Sequence, residues 1–388
     1  MQFIKPIIAL CATVALGACS LMKDELDDCP QGLTVQFVYD YNVERADMFS
    51  DHVGSVTLYV YDAADGHLVR MQTEDNTASA QPLRDPNYRM TVDGLPAGDY
   101  RLLALANQRQ YADLRQLPGT RYVRDGESEG MTALTVTLAD LPARTAATAI
   151  SQQLDTLWHG TLRSSVTRAD DASASPEGGV GQTVTVREHQ LTSCVVSLVR
   201  DTKRLHLSIR QADDPAHCDI ADYDITLVDC NGRILWDNTV ATPATPTEPT
   251  EPTITYTPFA RWNTYYDGQT GQSLRQRPAT DDQLEETAHA DLDFNRLMLR
   301  GPQEPTAPAL LTITHREDGR QVARINLPEI LSQGRGAFER EHYGAQEFLD
   351  RAYDYRLDFI LVGGQWQYMS LGIHTLPWTL RWQNVELN

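Results

Sequence analysis

The stretch Leu33-Thr-Val-Gln-Phe-Val-Tyr-Asp-Tyr41 places every odd-numbered residue, all of them apolar or aromatic, on one face of an extended chain. Side chains of a β-strand point alternately to its two faces, so this period of two is typical of a strand with one face in a core. The same period returns along the chain, whereas few long segments have the helical period. The sequence therefore predicts a protein built from half-buried strands.

Short turns join these strands into hairpins. Asn-Gly and Asp-Gly pairs favour tight turns because glycine tolerates a positive φ. Three hairpins are predicted, at 56–71 with the turn Asp65-Gly66, at 225–236 with Asn231-Gly232, and at 311–325 with Asp318-Gly319. A Pro/Gly turn at 94–98 leads into the apolar run 100–106, which we expect inside a sheet.

Helix is expected only on connections, at 107–117, 145–157 and 328–332. No helix-period segment regularly links successive strands, so βαβ units are not predicted. Many short strands separated by turn signals favour β-sandwiches. The predicted fold class is all-β, with minor helix on connections.

The length and composition predict two domains. The 388 residues, 41% of them apolar, are enough for two separate cores. The loop-like segment 164–181 suggests the border, and we predict an N-terminal β-sandwich at 33–193 and a C-terminal one at 194–388. Within the second domain, residues 241–258 include Pro-Thr-Glu-Pro-Thr-Glu-Pro-Thr, which has little to bury and predicts an exposed loop.

The N-terminus has the features of a lipoprotein signal peptide, predicted for residues 1–18. Lys5 precedes thirteen uncharged residues, which in a helix rise about 20 Å, too little for the roughly 30 Å hydrocarbon core of a bilayer. The segment ends in Leu16-Gly-Ala-Cys19, the pattern that bacterial lipoproteins present for cleavage between Ala18 and Cys19. We predict a lipid on Cys19, palmitate among its acyl chains, and a tether at 19–32. The alternative is a plain secretory signal with Cys19 as an ordinary thiol.

The excess of acidic residues limits the kinds of partner that the protein can bind. Lys and Arg number 33 against 53 Asp and Glu, a net charge of −20, and loss of the leader with its one lysine makes the mature chain more acidic. Such a field repels nucleic acid and anionic phospholipid. No nucleic-acid partner is therefore predicted, and a covalent lipid is the expected means of membrane contact.

Cysteine use suits an exported chain. Cys11 leaves with the leader, and Cys19 takes the lipid. The candidates for disulfide bonds are Cys29, Cys194, Cys218 and Cys230. Their three connectivities stay open, and metal binding is the weaker alternative because no C-x-x-C pair occurs.

One pattern resembles a catalytic motif. Gly126-Glu-Ser-Glu-Gly130 fits G-x-S-x-G, but the nucleophile elbow needs a buried strand before it and a helix after it, and here Arg124-Asp125 precedes and a strand-like run follows. We interpret it as a polar hairpin loop. No H-E-x-x-H or phosphate-binding loop is present. No enzyme activity, cofactor or metal site is predicted.

Five segments carry a resemblance to a known family. They are Asp27-Asp-Cys-Pro-Gln-Gly-Leu-Thr-Val-Gln-Phe37, then 49–66, Gly94-Leu-Pro-Ala-Gly-Asp-Tyr100, 195–209 and 353–387. In this order, behind the lipoprotein pattern, they resemble the FimB-type anchor subunits of Bacteroidetes fimbriae. Lys23-Asp-Glu25 also resembles the tag of surface-exported lipoproteins in that phylum.

The resemblance implies two tandem transthyretin-like β-sandwiches of Greek-key character, the first near the lipid. It implies an outer-membrane, surface-exposed subunit at the base of a fimbrium that regulates assembly or length, with shaft or accessory subunits as partners that bind by strand addition. Shaft subunits of this type are trimmed at an early Arg, whereas here Arg45 is the first Arg after Cys19, which suits a base that stays anchored and seeds or limits growth. The alternative is a surface glycan-binding lipoprotein, for which Trp366, Trp378 and Trp382 would be candidates.

Overall fold

The computed structural model describes residues 30–108, 122–138, 148–163, 181–241, 253–274, 276–278, 284–301, 308–375 and 379–385, with the backbone alone for 148, 373–375 and 379–385. The strands are β1 Gly32–Val38, β2 Ser55–Asp62, β3 Leu68–Asp75, β4 Met90–Asp93, β5 Gly98–Asn107, β6 Tyr122–Asp125, β7 Thr135–Leu138, β8 Thr148–Ile150, β9 Leu157–Leu162, β10 Val184–Val186, β11 Leu191–Arg200, β12 Lys203–Gln211, β13 Tyr223–Asp229, β14 Arg233–Leu235, β15 Ile254–Tyr256, β16 Ala260–Asp267, β17 Gln272–Leu274, β18 Leu284–Phe294, β19 Leu310–His315, β20 Gln321–Asn326, β21 Asp354–Val362, β22 Gln365–Thr375 and β23 Thr379–Val385. The helices are α1 Phe49–His52, α2 Leu327–Ser332, α3 Ala337–His342 and α4 Ala345–Arg351.

These strands form four sheets. The first sheet has the order β3-β2-β5-β9-β11-β1-β4, with β10 beside β5. The second sheet is β17-β16-β18-β12-β21-β22-β23, the third is β20-β19-β13-β15-β8, and the fourth is β14-β7-β6. Most neighbours are antiparallel, but three described pairs are parallel: β1 with β11, β12 with β21, and the short pair β8 with β15.

Two cores follow from the alternation of side chains. The first sheet surrounds one core, to which β1 contributes Leu33, Val35 and Phe37. A second core includes Leu205 and Leu207 of β12 and extends over the third and fourth sheets. Period-two burial is therefore the organising feature, and the predicted all-β sandwich class is confirmed.

Two of the three predicted hairpins are confirmed and one is wrong. The strand pairs β2·β3 and β19·β20 form as expected. The run at 225–236 does not fold back on itself, because β14 pairs with β7 instead of β13. Asn231 explains the difference: its buried amide donates to the carbonyls of Asn295 and Arg296, and its Oδ1 accepts from the Tyr256 hydroxyl. The Asn-Gly pair thus serves a tertiary contact and does not close a hairpin.

The helix predictions had mixed outcomes. The prediction at 328–332 is confirmed by α2, whose first turn is capped by Asn326. The prediction at 145–157 is wrong, because β8 lies there and pairs in parallel with β15, and β9 begins at Leu157. Tertiary pairing overrides local propensity at these residues. The prediction at 107–117 falls largely outside the described residues, although Asn107 ends β5.

The predicted domain border does not coincide with the passage between the first two sheets. The predicted border at 193/194 falls inside β11, and the passage from the first to the second sheet is at Asp201-Thr202. The division into two domains stays a prediction. Of the predicted loop at 241–258, residues 242–252 lie outside the described residues, and its end forms β15.

Candidate anchoring and docking sites

The strand nearest the predicted lipid is fully integrated into the first sheet. The strand β1 lies between β11 and β4, and its Leu33 and Val35 are completely buried. The ring of Phe37 stacks on Phe49 at 5.7 Å between centroids. The predicted lipid and cleavage positions, Ala18 and Cys19, lie outside the described residues. Among the described helices, none is long and apolar enough to cross a membrane.

The first arginine after the tether is held against a distant helix. Arg45 has a positive φ of 57°, and its guanidinium lies 3.7 Å from the ring centroid of Phe338. Its Nε donates to the Tyr343 hydroxyl at 2.6 Å. The loop after β1 is therefore fastened to the α3 region by a cation–π contact and a hydrogen bond.

Open edges are the features that could receive a partner strand, because an edge strand leaves N–H and C=O groups unpaired. Among the described strands, those paired on one side only are β3, β4, β10, β17, β23, β20, β8, β14 and β6. In the first sheet, the β3 and β4 edges are bridged by side chains, since Gln72 donates to the Thr91 carbonyl at 3.2 Å. In the second sheet, β17 covers only the end of β16, and β23 pairs with β22 alone.

The outer face of the second sheet carries a row of charges. His206 donates from one ring nitrogen to Asp291 at 2.7 Å and from the other to Asp354 at 3.0 Å. Burial works against protonation, but the hydrogen bonds to these two carboxylates raise the pKa of His206 to about 9. Beside it, Arg204 forms two hydrogen bonds with Asp293, at 2.7 and 3.0 Å.

Exposed aromatic rings lie on strands of the same sheet. Trp262 is 40% exposed and Tyr368 is 65% exposed, and the Trp262 ring stacks on His289 at 5.1 Å between centroids. Of the tryptophans considered for glycan binding, Trp366 packs against Phe359 in the core. The side chains of Trp378 and Trp382 lie outside the described part of the chain. Trp262 and Tyr368 are therefore exposed rings, among the described residues, that the sequence did not single out.

A buried cluster of charges fills the passage between the first and second sheets. Arg296 and Asp350 form two hydrogen bonds of 2.7 Å, and Lys203 donates to the carbonyls of Asp350 and Ala352 at 2.8 and 2.9 Å. Burial raises the pKa of Asp201 and lowers the pKa of Lys203. We call Asp201, Lys203, Arg296 and Asp350 the junction cluster. Sequence reasoning missed it, because nothing local marks a charged residue that tertiary folding will bury.

The remaining predicted residues lie apart from one another. Cys194, Cys218 and Cys230 are free thiols, so the predicted disulfides do not form among these three, and Cys29 lies outside the described residues. Burial raises the pKa of Cys194 to about 12 and that of Cys218 to about 11, which makes both poor nucleophiles.

Two further features are explained by turns. The segment 126–130 joins β6 to β7, where Glu127 accepts a hydrogen bond from the Tyr59 hydroxyl, so the polar hairpin loop is confirmed. Asp62, Asp65 and His67 form the one group of metal-type ligands found in the described residues. The carboxylates of Asp62 and Asp65 accept hydrogen bonds from the backbone N–H groups of Ala64 and His67 within the β2–β3 turn.

These features define an all-β protein with two apolar cores and, among the described strands, open sheet edges. The family model for the fimbrillin-A associated anchor proteins Mfa1 and Mfa2 matches residues 26–384. The chain therefore belongs to the Mfa2 family of fimbrial anchor proteins, as the sequence resemblance predicted, and this family is structural and not enzymatic.

Solved structures share the fold. A candidate adhesin from Bacteroides thetaiotaomicron VPI-5482 superposes with a TM-score of 0.63 at 22% identity, covering 91% of this chain and 98% of that one. Candidate polysaccharide-binding proteins from the same organism give 0.62 at 23% identity, covering 92% and 99%. The fimbrial anchor protein Mfa2 from Porphyromonas gingivalis gives 0.51 at 15% identity, covering 88% and 97%. Comparison with curated protein sequences finds no match.

Proposed function

We propose that this chain is an outer-membrane lipoprotein that holds the base of a fimbrium at the cell surface and regulates its assembly or length. The observation that carries the proposal is the match to the anchor family over residues 26–384. Members of that family associate with other fimbrial subunits at the cell envelope. The lipid, the mode of docking and the effect on length are the parts that experiment has to test.

The lipid on Cys19 would hold the chain through a short tether. The chain from Cys19 to the start of β1 at Gly32 spans at most about 45 Å when fully extended. Several acyl chains on one cysteine bind a bilayer far more strongly than one chain, since each buried methylene contributes about 0.8 kcal/mol. The first sheet is thus kept close to the membrane.

Shaft or accessory subunits would dock by adding a strand to an open edge. The place between β11 and β4 is occupied by β1 itself, whose apolar residues are buried. A partner strand would have to displace β1 to enter there. Among the described strands, the outer edge of β23 and most of the outer edge of β16 have no neighbouring strand in the second sheet, so we assign docking to that sheet.

Cys19→Ala tests the anchor. The variant is expected to leave the membrane fraction and to release fimbriae or change their length, and Cys230→Ala, which keeps Cys19, is the matched control. Fractionation, electron microscopy and mass spectrometry of the first mature residue are the measurements. Full membrane retention of Cys19→Ala would refute the lipid assignment.

Glycan binding is the second candidate, and the exposed rings of Trp262 and Tyr368 favour it. Such rings stack on the apolar faces of sugars. One of the structural relatives is described as a polysaccharide-binding candidate. Retention on a polysaccharide column that Trp262→Ala abolishes, without recovery of pilin-like chains in a pull-down from cells, would favour this function over anchoring.

A further inference from the structure

We propose that the chain is a force-bearing link in which two parallel strand pairs, β1·β11 and β12·β21, lie in series between its two ends. The proposal rests on the proposed anchoring, because tension enters at the start of β1 only if the lipid holds Cys19. Its physical basis is the direction in which each pair of strands is loaded.

The first pair resists sliding along its whole length. Seven register pairs join β1 to β11, from Gly32↔Leu191 to Val38↔Ser197. In a parallel pair, pulling one strand at its start and the other at its end moves the strands lengthwise past each other. All the ladder hydrogen bonds are then strained together, so they do not open one after another.

The strand β1 is held on its other side as well. Four register pairs join it to β4, and Leu33 and Val35 are completely buried. A slip of one residue would turn this apolar face towards the opposite side of the sheet. Packing therefore adds to the resistance of the ladder.

The second pair repeats this arrangement. After Arg200 the chain passes through Asp201-Thr202 into β12, which runs parallel to β21 over eight register pairs. From β21 the chain continues into β22 and β23, the last of which is the open edge assigned to docking. Tension that enters β12 at its start and leaves β21 at its end shears this pair too.

The junction cluster ties the two pairs together. Lys203, the first residue of β12, donates to the carbonyls of Asp350 and Ala352, just before β21 begins. Arg296 holds the Asp350 carboxylate from the end of β18. The start of the second pair is thus fixed by buried, charge-assisted hydrogen bonds.

A pull from another point loads the first sheet differently. The last residues of β3 and β11 lie at the same end of this sheet. Next to β3, the Asn76 N–H donates to the Gly54 carbonyl, and the Gly54 N–H donates to the Asn107 carbonyl. Next to β11, the Asp201 N–H donates to the carbonyl of Leu157, which is the register partner of Asn107. A pull between the exposed loop at Ala78 and the C-terminus therefore opens the first sheet strand by strand from its β3 edge.

Single-molecule force spectroscopy on the full mature chain tests the proposal. We expect the unfolding force to be several-fold higher when handles are attached at the N- and C-termini than when they are attached through a ligation tag at Ala78 and the C-terminus. Equal forces in the two geometries would overturn the proposal.

A matched pair of variants gives a second measurement. The Gly32 N–H donates to the carbonyl of Gln190 beside β11, so the N–H groups of even-numbered residues in β1 point towards β11. Gln36 is one of these residues, and it lies beyond the four that pair with β4. Gln36→Pro is expected to lower the force between the termini and to leave the force from Ala78 unchanged. Leu58→Ala truncates a buried residue of β2, and is expected to lower equilibrium stability at least as much without lowering the force between the termini to the same extent.

The force-bearing role and the lipid anchor can be refuted by different results. An equal loss of force in Gln36→Pro and Leu58→Ala would overturn the force-bearing role whatever the membrane fractionation shows. If Gln36→Pro does not fold, the comparison of the two handle geometries on the unaltered chain decides the outcome. Retention of Cys19→Ala in the membrane would refute the lipid anchor without changing these forces.

Discussion

At the scale of single residues, the second sheet depends on charges that differ greatly in exposure. Arg296 and Asp350 have side chains that are 3% and 6% exposed, whereas His206 is 37% exposed. A buried pair is costly to break because the remaining charge has lost its water. An exposed pair contributes little. Removal of a buried pair and removal of an exposed pair should therefore change the free energy of unfolding by different amounts.

Arg296→Met should destabilise the fold by about 3–5 kcal/mol, because the buried Asp350 carboxylate loses both hydrogen bonds to its guanidinium partner and keeps the weaker contact with the Gln346 amide. Arg316→Met is the matched control, since Arg316 pairs with Asp224 at the surface and its loss should cost at most about 1 kcal/mol. Urea denaturation of both variants measures the difference. Similar losses in the two would contradict the stated role of the junction cluster.

The raised pKa of His206 predicts that the stability of the fold depends on pH. Its pKa is about 9 in the folded chain against 6.5 for the free side chain, so its contribution is complete below pH 6.5 and is lost as the pH rises through about 9. Because the histidine is partly exposed, we expect only about 1 kcal/mol. The difference in unfolding free energy between wild type and His206→Gln should therefore shrink between pH 6 and pH 10. A difference that does not change over this range would be evidence against the protonated bridge.

At the scale of the strands, one turn decides which sheets are connected. The Asn231-Gly232 pair does not return β13 on itself, because Asn231 is completely buried and bonded to Asn295, Arg296 and Tyr256. The chain then continues into β14, which completes the fourth sheet beside β7. A single side chain thus directs a strand of the C-terminal half onto the N-terminal half.

Asn231→Ala should cost about 3 kcal/mol, since it leaves several buried polar groups without partners. Asn87→Ala, in an exposed turn, should change the unfolding free energy by no more than about 0.5 kcal/mol. Thermal and urea unfolding of the two variants provide the comparison. A loss in Asn231→Ala as small as that in Asn87→Ala would show that the contact is dispensable.

At the scale of the whole molecule, the two halves share a core. The second core includes Tyr59 and Leu103 of the first sheet together with Leu205 and Phe359 of the second. The strands β7 and β8 of the N-terminal half pair with β14 and β15 of the C-terminal half. Apolar surface of each half is thus buried by the other.

The full chain should therefore unfold in one cooperative transition, and a fragment of residues 30–200 should be poorly folded and prone to aggregate, because it exposes its share of this core. Calorimetry of the mature chain and near-UV circular dichroism of the fragment are the measurements. Two separate calorimetric transitions, or a monomeric fragment with native-like dichroism, would show instead that the halves are independent domains.

Local patterns were sufficient for the fold class and for the family. The alternation in 33–41, the Asp-Gly turns and the apolar run at 100–106 each depend on neighbouring residues alone. They appear in the structure as β1, which ends at Val38, as the β2–β3 and β19–β20 hairpins, and as β5. The order of the motifs along the chain was enough to recognise the anchor family.

Only the tertiary structure decided which strands are neighbours and which charges are buried. The pairing of β14 with β7, the parallel pairs of β1 with β11 and β12 with β21, and the burial of Lys203 and Asp350 join residues far apart in the chain. No periodicity records such contacts, because a strand can satisfy its backbone hydrogen bonds with any partner that packing brings beside it. The amino-acid sequence determined that this protein is made of strands, and the packing of its cores determined the route by which one end is connected to the other.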